Sequence, residues 1–87
     1  MSELNNQIAR RLGGKPPDLD GMNGTRSDWA GNAIEKFEAD TRVDREDALS
    51  DLLANLMHWC DRNEQCFDNE LRRGRNHYLA ETAEEFS

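Results

Sequence analysis

At 87 residues the chain is one domain, and a fold of this size buries only about 60% of the surface that its unfolded chain exposes, too little for a deep two-layer active site. Eighteen Asp and Glu against 11 Lys and Arg give a formal charge of -7, which repels phosphate backbones and argues against direct nucleic-acid binding while attracting a basic protein. Hydrophobic residues at 36% suffice for one compact helical layer, which a partner or a second copy could complete as a homodimer.

Met1-Ser-Glu-Leu-Asn-Asn lacks a basic region followed by an apolar run, and no stretch approaches a membrane span, so a cytoplasmic protein with no membrane partner is expected. Ser2 can cap a short helix in which Leu4, Ile8 and Leu12 recur every four residues, and Gly13-Gly14 stops it. Between Gly13 and Arg26 lie four of the six glycines and both prolines, which predicts a loop or mobile linker. Residues 1–26 are thus set apart from a helical core domain at 27–87.

Ser27 suits an N-cap, and Trp29, Ala30, Ala33, Ile34 and Phe37 then share one face of a helix reaching Asp40. Asp44, with Asp47 three residues later, resembles a cap for the next helix. There Ala48, Leu49, Leu52, Leu53, Leu56, Met57 and Cys60 follow i, i+3, i+4 spacing without a miss, which predicts a core stripe wide enough for the centre of a bundle or a dimer seam. By that reading Leu53→Asp unfolds the domain.

The short polar run Asp61 to Cys66 should return the chain antiparallel, in a helix from Phe67 to about Glu84 lined inside by Phe67, Leu71, Gly74, Tyr78 and Thr82. Gly74 costs about 1 kcal/mol relative to Ala, which close packing against Trp59 would explain. The expected fold is all-α, a small helical bundle of three to four helices ending in an antiparallel hairpin.

Chemistry is thinly represented. His58 and Cys60 stand two apart and point in different directions, whereas helical metal pairs sit at i, i+3 or i+4, so neither a metal nor another cofactor is expected. His58 with Asp61, and His77 with Glu81, share faces as solvated pairs, with no nucleophile arranged beside them, and no catalytic residue is assigned. Cys60 and Cys66 read as reduced thiols, joined by a loop short enough for a disulfide under oxidation. The partner-binding candidates are charged: Glu35, Glu38, Asp47 and Asp51, at i, i+3 and i, i+4, and the basic cluster Arg72, Arg73 and Arg75, expected to pair with carboxylates of a neighbouring helix or a second subunit.

Asp47-Ala-Leu-Ser-Asp-Leu-Leu-Ala-Asn-Leu-Met-His-Trp-Cys-Asp-Arg-Asn63, with Phe67-Asp-Asn-Glu-Leu71 and Arg75-Asn-His-Tyr-Leu-Ala-Glu-Thr82, resembles a group of short bacterial proteins of unknown function carried by phages, prophages or plasmids. That group typically has glycine near Glu64 and an Asp cap where Cys66 stands. The same half is faintly similar to the last two helices of the all-α nucleotide pyrophosphohydrolases related to MazG. That similarity implies Mg²⁺ held through Glu35, Glu38 and Asp51, but the Glu expected three residues before Asp51 is Ala48. The resemblance and the acidity together point to a non-enzymatic protein-binding module from a mobile element. It would inhibit or modulate a host protein, as an anti-CRISPR or other anti-defence inhibitor mimicking nucleic-acid charge. The alternatives are a degenerate pyrophosphohydrolase and a phage accessory or structural protein that binds a phage partner.

Overall fold

The computed structural model describes residues 18–83, and the helix expected near Leu4 to Leu12 lies outside them. Among the described residues there are three helices, α1 at Met22–Thr41, α2 at Arg45–Arg62 and α3 at Phe67–Thr82. Helix α1 packs on α2 and α2 on α3. The all-α expectation holds, and the boundaries of α2 and α3 fall close to where the apolar period and the polar run at Asp61 to Cys66 put them.

Helix α1 starts five residues before the expected cap at Ser27. Its first turn is satisfied from outside: the two carboxylate oxygens of Asp18 accept from the Asn23 N–H at 3.1 Å and the Gly24 N–H at 2.7 Å, and Asp20 Oδ1 accepts from Met22 N–H at 3.0 Å. Gly21 occupies the cap position with φ of 80°, a conformation glycine takes without steric cost. Two aspartates thus serve donors that a helix start leaves open, and their negative charge complements the helix dipole. The glycine content of this stretch suggested a loop, but Met22 to Arg26 are helical.

The turn from α1 into α2 is held by Arg42, left-handed at φ 60°, whose N–H donates to Glu38 O at 2.7 Å. Asp44 is the N-cap of α2, as expected. Its side chain makes no cap bond, however, and its carbonyl accepts from the Asp47 N–H instead, at 3.0 Å.

A second tie joins the two ends of the chain's helical run. Asn23 Nδ2 donates to Glu81 O at 3.0 Å, and Arg26 Nε pairs with Glu81 Oε2 at 3.2 Å while its Nη1 donates to Asn23 Oδ1 at 2.8 Å. The start of α1 therefore sits against the end of α3. Thr82 beside it is buried, its hydroxyl donating to Tyr78 O at 2.9 Å.

The core stripe on α2 is only partly a core. Ala48 is 1% exposed and Cys60 7%, and Leu52 is half-buried, but Leu49, Leu53, Leu56 and Met57 between them remain 58%, 41%, 41% and 49% exposed. Short connections at 42–44 and 63–66 join α1 and α3 to α2, and burial is deepest toward those ends. The inner faces of the neighbours are correspondingly narrow. On α1, Ile34 and Phe37 are half-buried while Trp29, Ala30 and Ala33 are exposed; on α3, Phe67 and Tyr78 are half-buried while Leu71 and Gly74 are exposed.

Gly74 does not pack under Trp59. A Cβ placed there would have nothing within 4 Å, and Trp59 is itself largely exposed. The hairpin of α2 and α3 is thus more open than the expected inner-face row requires.

The hairpin turn carries a local strain. Glu64 is left-handed at φ 58°, which costs a side-chain-bearing residue about 1 kcal/mol and glycine little. Cys66 caps α3 without a side-chain bond. Glu64→Gly with Cys66→Asp is expected to stabilise the fold by about 1 to 2 kcal/mol, raising Tm by several degrees in a thermal melt. A melt unchanged by the pair would mean that this turn does not adopt the left-handed conformation.

Candidate functional site

The charged residues singled out in the sequence are distributed over all three helices. Asp44, Glu46 and Asp47 offer carboxylate oxygens within 4.8 Å of one another, all three exposed, at the start of α2. There the helix dipole offsets part of their mutual repulsion. Asp51 follows one turn after Asp47, also exposed. None of these four enters an ion pair among the described residues, so their charge is presented to solvent.

Glu38 behaves differently. Its carboxylate is largely shielded and accepts a hydrogen bond from Arg45 Nε at 2.6 Å. That bond, reinforced by the charge of Glu38, raises the Arg45 guanidinium above its ordinary pKa. Glu38 is thereby committed to holding the α1–α2 corner, while Glu35 stays exposed.

Glu35, Glu38 and Asp51 do not come together as a metal-holding group. The cluster of three acids that the described residues form is the separate one at Asp44, Glu46 and Asp47. The ligand set implied by the pyrophosphohydrolase-like pattern is therefore not assembled by this arrangement of helices.

On α3 the basic cluster turns inward on its own helix. Arg73 Nη1 pairs with both oxygens of Glu70 at 3.2 Å, and Arg72 Nη2 donates to Asn69 Oδ1 at 3.2 Å. The expected partners of Arg72, Arg73 and Arg75 were carboxylates of a neighbouring helix or a second subunit; within this chain Arg72 and Arg73 meet groups three residues back, the spacing at which helix side chains meet. Such exposed pairs contribute little to stability.

His58 and His77 are exposed, and Glu81, which shares a face with His77, pairs with Arg26 instead. Both cysteines are free thiols, Cys60 buried and Cys66 exposed. No described helix is long and apolar enough to cross a membrane.

Two features escaped the sequence reading: the Asp18 and Asp20 cap, and the tie of Asn23 and Arg26 to Glu81. An Asp-Leu-Asp-Gly run before a non-proline stretch carries a capping signal that glycine content obscured. The contact to Glu81 spans 58 positions, and no local pattern encodes it.

The fold and site define a small all-α chain with an acidic, solvent-facing helix. Comparison with protein-family models, curated proteins and solved structures finds no match.

Proposed function

We propose that this chain is a small acidic protein-binding module that docks on a basic surface of another protein, and that its role is to inhibit or modulate that protein. The observation that carries this reading is the row of carboxylates Asp44, Glu46, Asp47 and Asp51, exposed along a rigid helix and without ion-pair partners among the described residues. Unneutralised charge of one sign steers a complementary partner and sets its register. A groove built for nucleic-acid phosphates is such a partner. Resemblance to proteins of phages, prophages and plasmids makes a bacterial defence nuclease the sharpest candidate, with anti-CRISPR inhibition as its specific form.

The test is competition. A purified CRISPR effector complex is assayed for target-DNA binding with and without the chain, at low and moderate salt. Inhibition that weakens with salt, and that drops at least about tenfold in an Asp47→Lys, Asp51→Lys double variant, is the expected result. Inhibition that ignores both salt and the charge reversal would reject charge mimicry, and no inhibition of any effector would reject the anti-CRISPR form. Mg²⁺-dependent nucleotide hydrolysis that Glu35→Ala abolishes would instead favour the pyrophosphohydrolase alternative.

A further inference from the structure

The first turn of α1 carries a chemically labile pair. Asn23-Gly24 is the sole Asn followed by Gly in the chain, every other Asn preceding a residue that bears a side chain. Without a Cβ, Gly24 leaves its amide nitrogen open to approach and its backbone free to rotate. We infer that Asn23 is a site of spontaneous deamidation held in check by the Asp18 cap, and that its conversion unlatches the start of α1 from the end of α3.

The reaction needs only water. The Gly24 nitrogen gives its proton to a solvent base and attacks Cγ of Asn23; the Cγ–Nδ2 bond breaks and ammonia leaves with a proton from water. The cyclic imide then takes up water at either carbonyl and opens to aspartate or to isoaspartate. Water is consumed, ammonia is released, and nothing is oxidised or reduced.

The fold restrains this step. Asn23 and Gly24 are helical, and helical dihedrals hold the Gly24 nitrogen away from Cγ, so the imide closes only when the turn opens. Asp18 keeps it closed: its carboxylate takes the Gly24 N–H at 2.7 Å and the Asn23 N–H at 3.1 Å. A Cβ built on Gly24 would stand 3.0 Å from Asp18 Oδ2, so the cap lies directly over the reacting residue. Solvent is still at hand, because Gly24 is exposed and Asn23 half-buried at a helix end, where local opening is easiest.

The consequence follows from what Asn23 holds. Its Nδ2 donates to Glu81 O at 3.0 Å and its Oδ1 accepts from Arg26 Nη1 at 2.8 Å. An amide does both because it is donor and acceptor at once, whereas a carboxylate only accepts. Deamidation therefore turns the bond to Glu81 into two oxygens facing each other, and adds a negative charge to an end that already holds Asp18, Asp20 and Glu81. Isoaspartate also lengthens the backbone and breaks the spacing of the first turn. The other junctions, at 42–44 and 63–66, are short covalent connections, so this is the one that such chemistry can open. The inference does not rest on the partner proposed above.

The test incubates the full chain in mildly alkaline buffer and follows Asn23 by peptide mass spectrometry. Conversion of amide to acid raises the mass, whereas isomerisation at Asp20-Gly21 leaves it unchanged. The expected result is slow conversion in the native parent and fast conversion in urea. In Asp18→Ala, conversion should run about tenfold faster than in the native parent, the factor by which loss of the cap raises the open population. The converted chain, separated by its added charge, should show a lower Tm and faster amide exchange at 79–82, and Asn23→Asp should move both in the same direction. Should Asp18→Ala fail to fold, Asp18→Asn takes its place. Conversion in the native parent as fast as in urea, or no faster without Asp18, would overturn the guarding role of the cap. A converted chain that melts and exchanges like the parent would overturn the latch.

Discussion

Ala48→Asp is expected to unfold the helical body, with a loss of about 3 kcal/mol or more and no cooperative transition at the parent's Tm in a circular-dichroism melt. Ala48 is the most completely buried of the described hydrophobic residues, 1% exposed, one turn inside α2. A carboxylate there loses its hydration, and burying an unpaired charge is among the costliest single changes a fold can suffer. In a domain this small such a loss is a large share of the total stability. The control is Ala54→Asp, the same substitution on the same helix at an exposed position, expected to melt within about 0.5 kcal/mol of the parent. Equal melting of the two variants would show that Ala48 is not buried in the folded chain.

Asp18→Ala is expected to cost about 1 to 2 kcal/mol, a fall in Tm of about 4 to 8 °C for each kcal/mol. The carboxylate serves two N–H donors at once, Asn23 at 3.1 Å and Gly24 at 2.7 Å, so its removal opens the first turn of α1. Unwinding from Met22 toward Ser27 would also release Asn23 and Arg26 from Glu81, and the loss therefore extends to the end of α3. Asp18→Asn keeps one acceptor oxygen and should fall between the parent and the alanine variant. Amide hydrogen exchange at residues 22–26 reads the effect directly. Faster exchange there and at 79–82 together is the expected pattern; exchange confined to 22–26 would mean that the tie to Glu81 carries no stability.

Asp47 and Asp51 lie on a different side of α2 from Leu49, Leu53 and Met57, so charge and apolar burial on this helix can be altered separately. Charge reversal at Asp47 and Asp51 acts on solvent-exposed groups and should leave the melt nearly unchanged while altering association. A substitution at Leu53 acts on apolar burial, and its first effect is on Tm.

The amino-acid sequence by itself determined the helical class, the extents of α2 and α3, and the turn between them, because each rests on short-range physics. The apolar residues from Ala48 to Cys60 recur at helical spacing, and a polar run with no apolar member separates Cys60 from Phe67. It also put Asp47 and Asp51 on one helix face, since residues four apart on a helix share a face whatever surrounds them. The start of α1 was legible only in part: glycine content favoured a loop, and the two aspartates that cap Met22 to Gly24 act across a bend whose geometry composition does not specify. Tertiary structure alone decided how much of each apolar stripe is buried. Periodicity says which side chains can face a neighbour, but crossing position sets which ones do, and so Ala48 and Cys60 are buried while Leu53 between them is not. It likewise decided that Glu38 belongs to Arg45 rather than to a metal group with Asp51, and that Glu81 meets Arg26, because these partners are brought together by the path of the chain and not by their spacing along it.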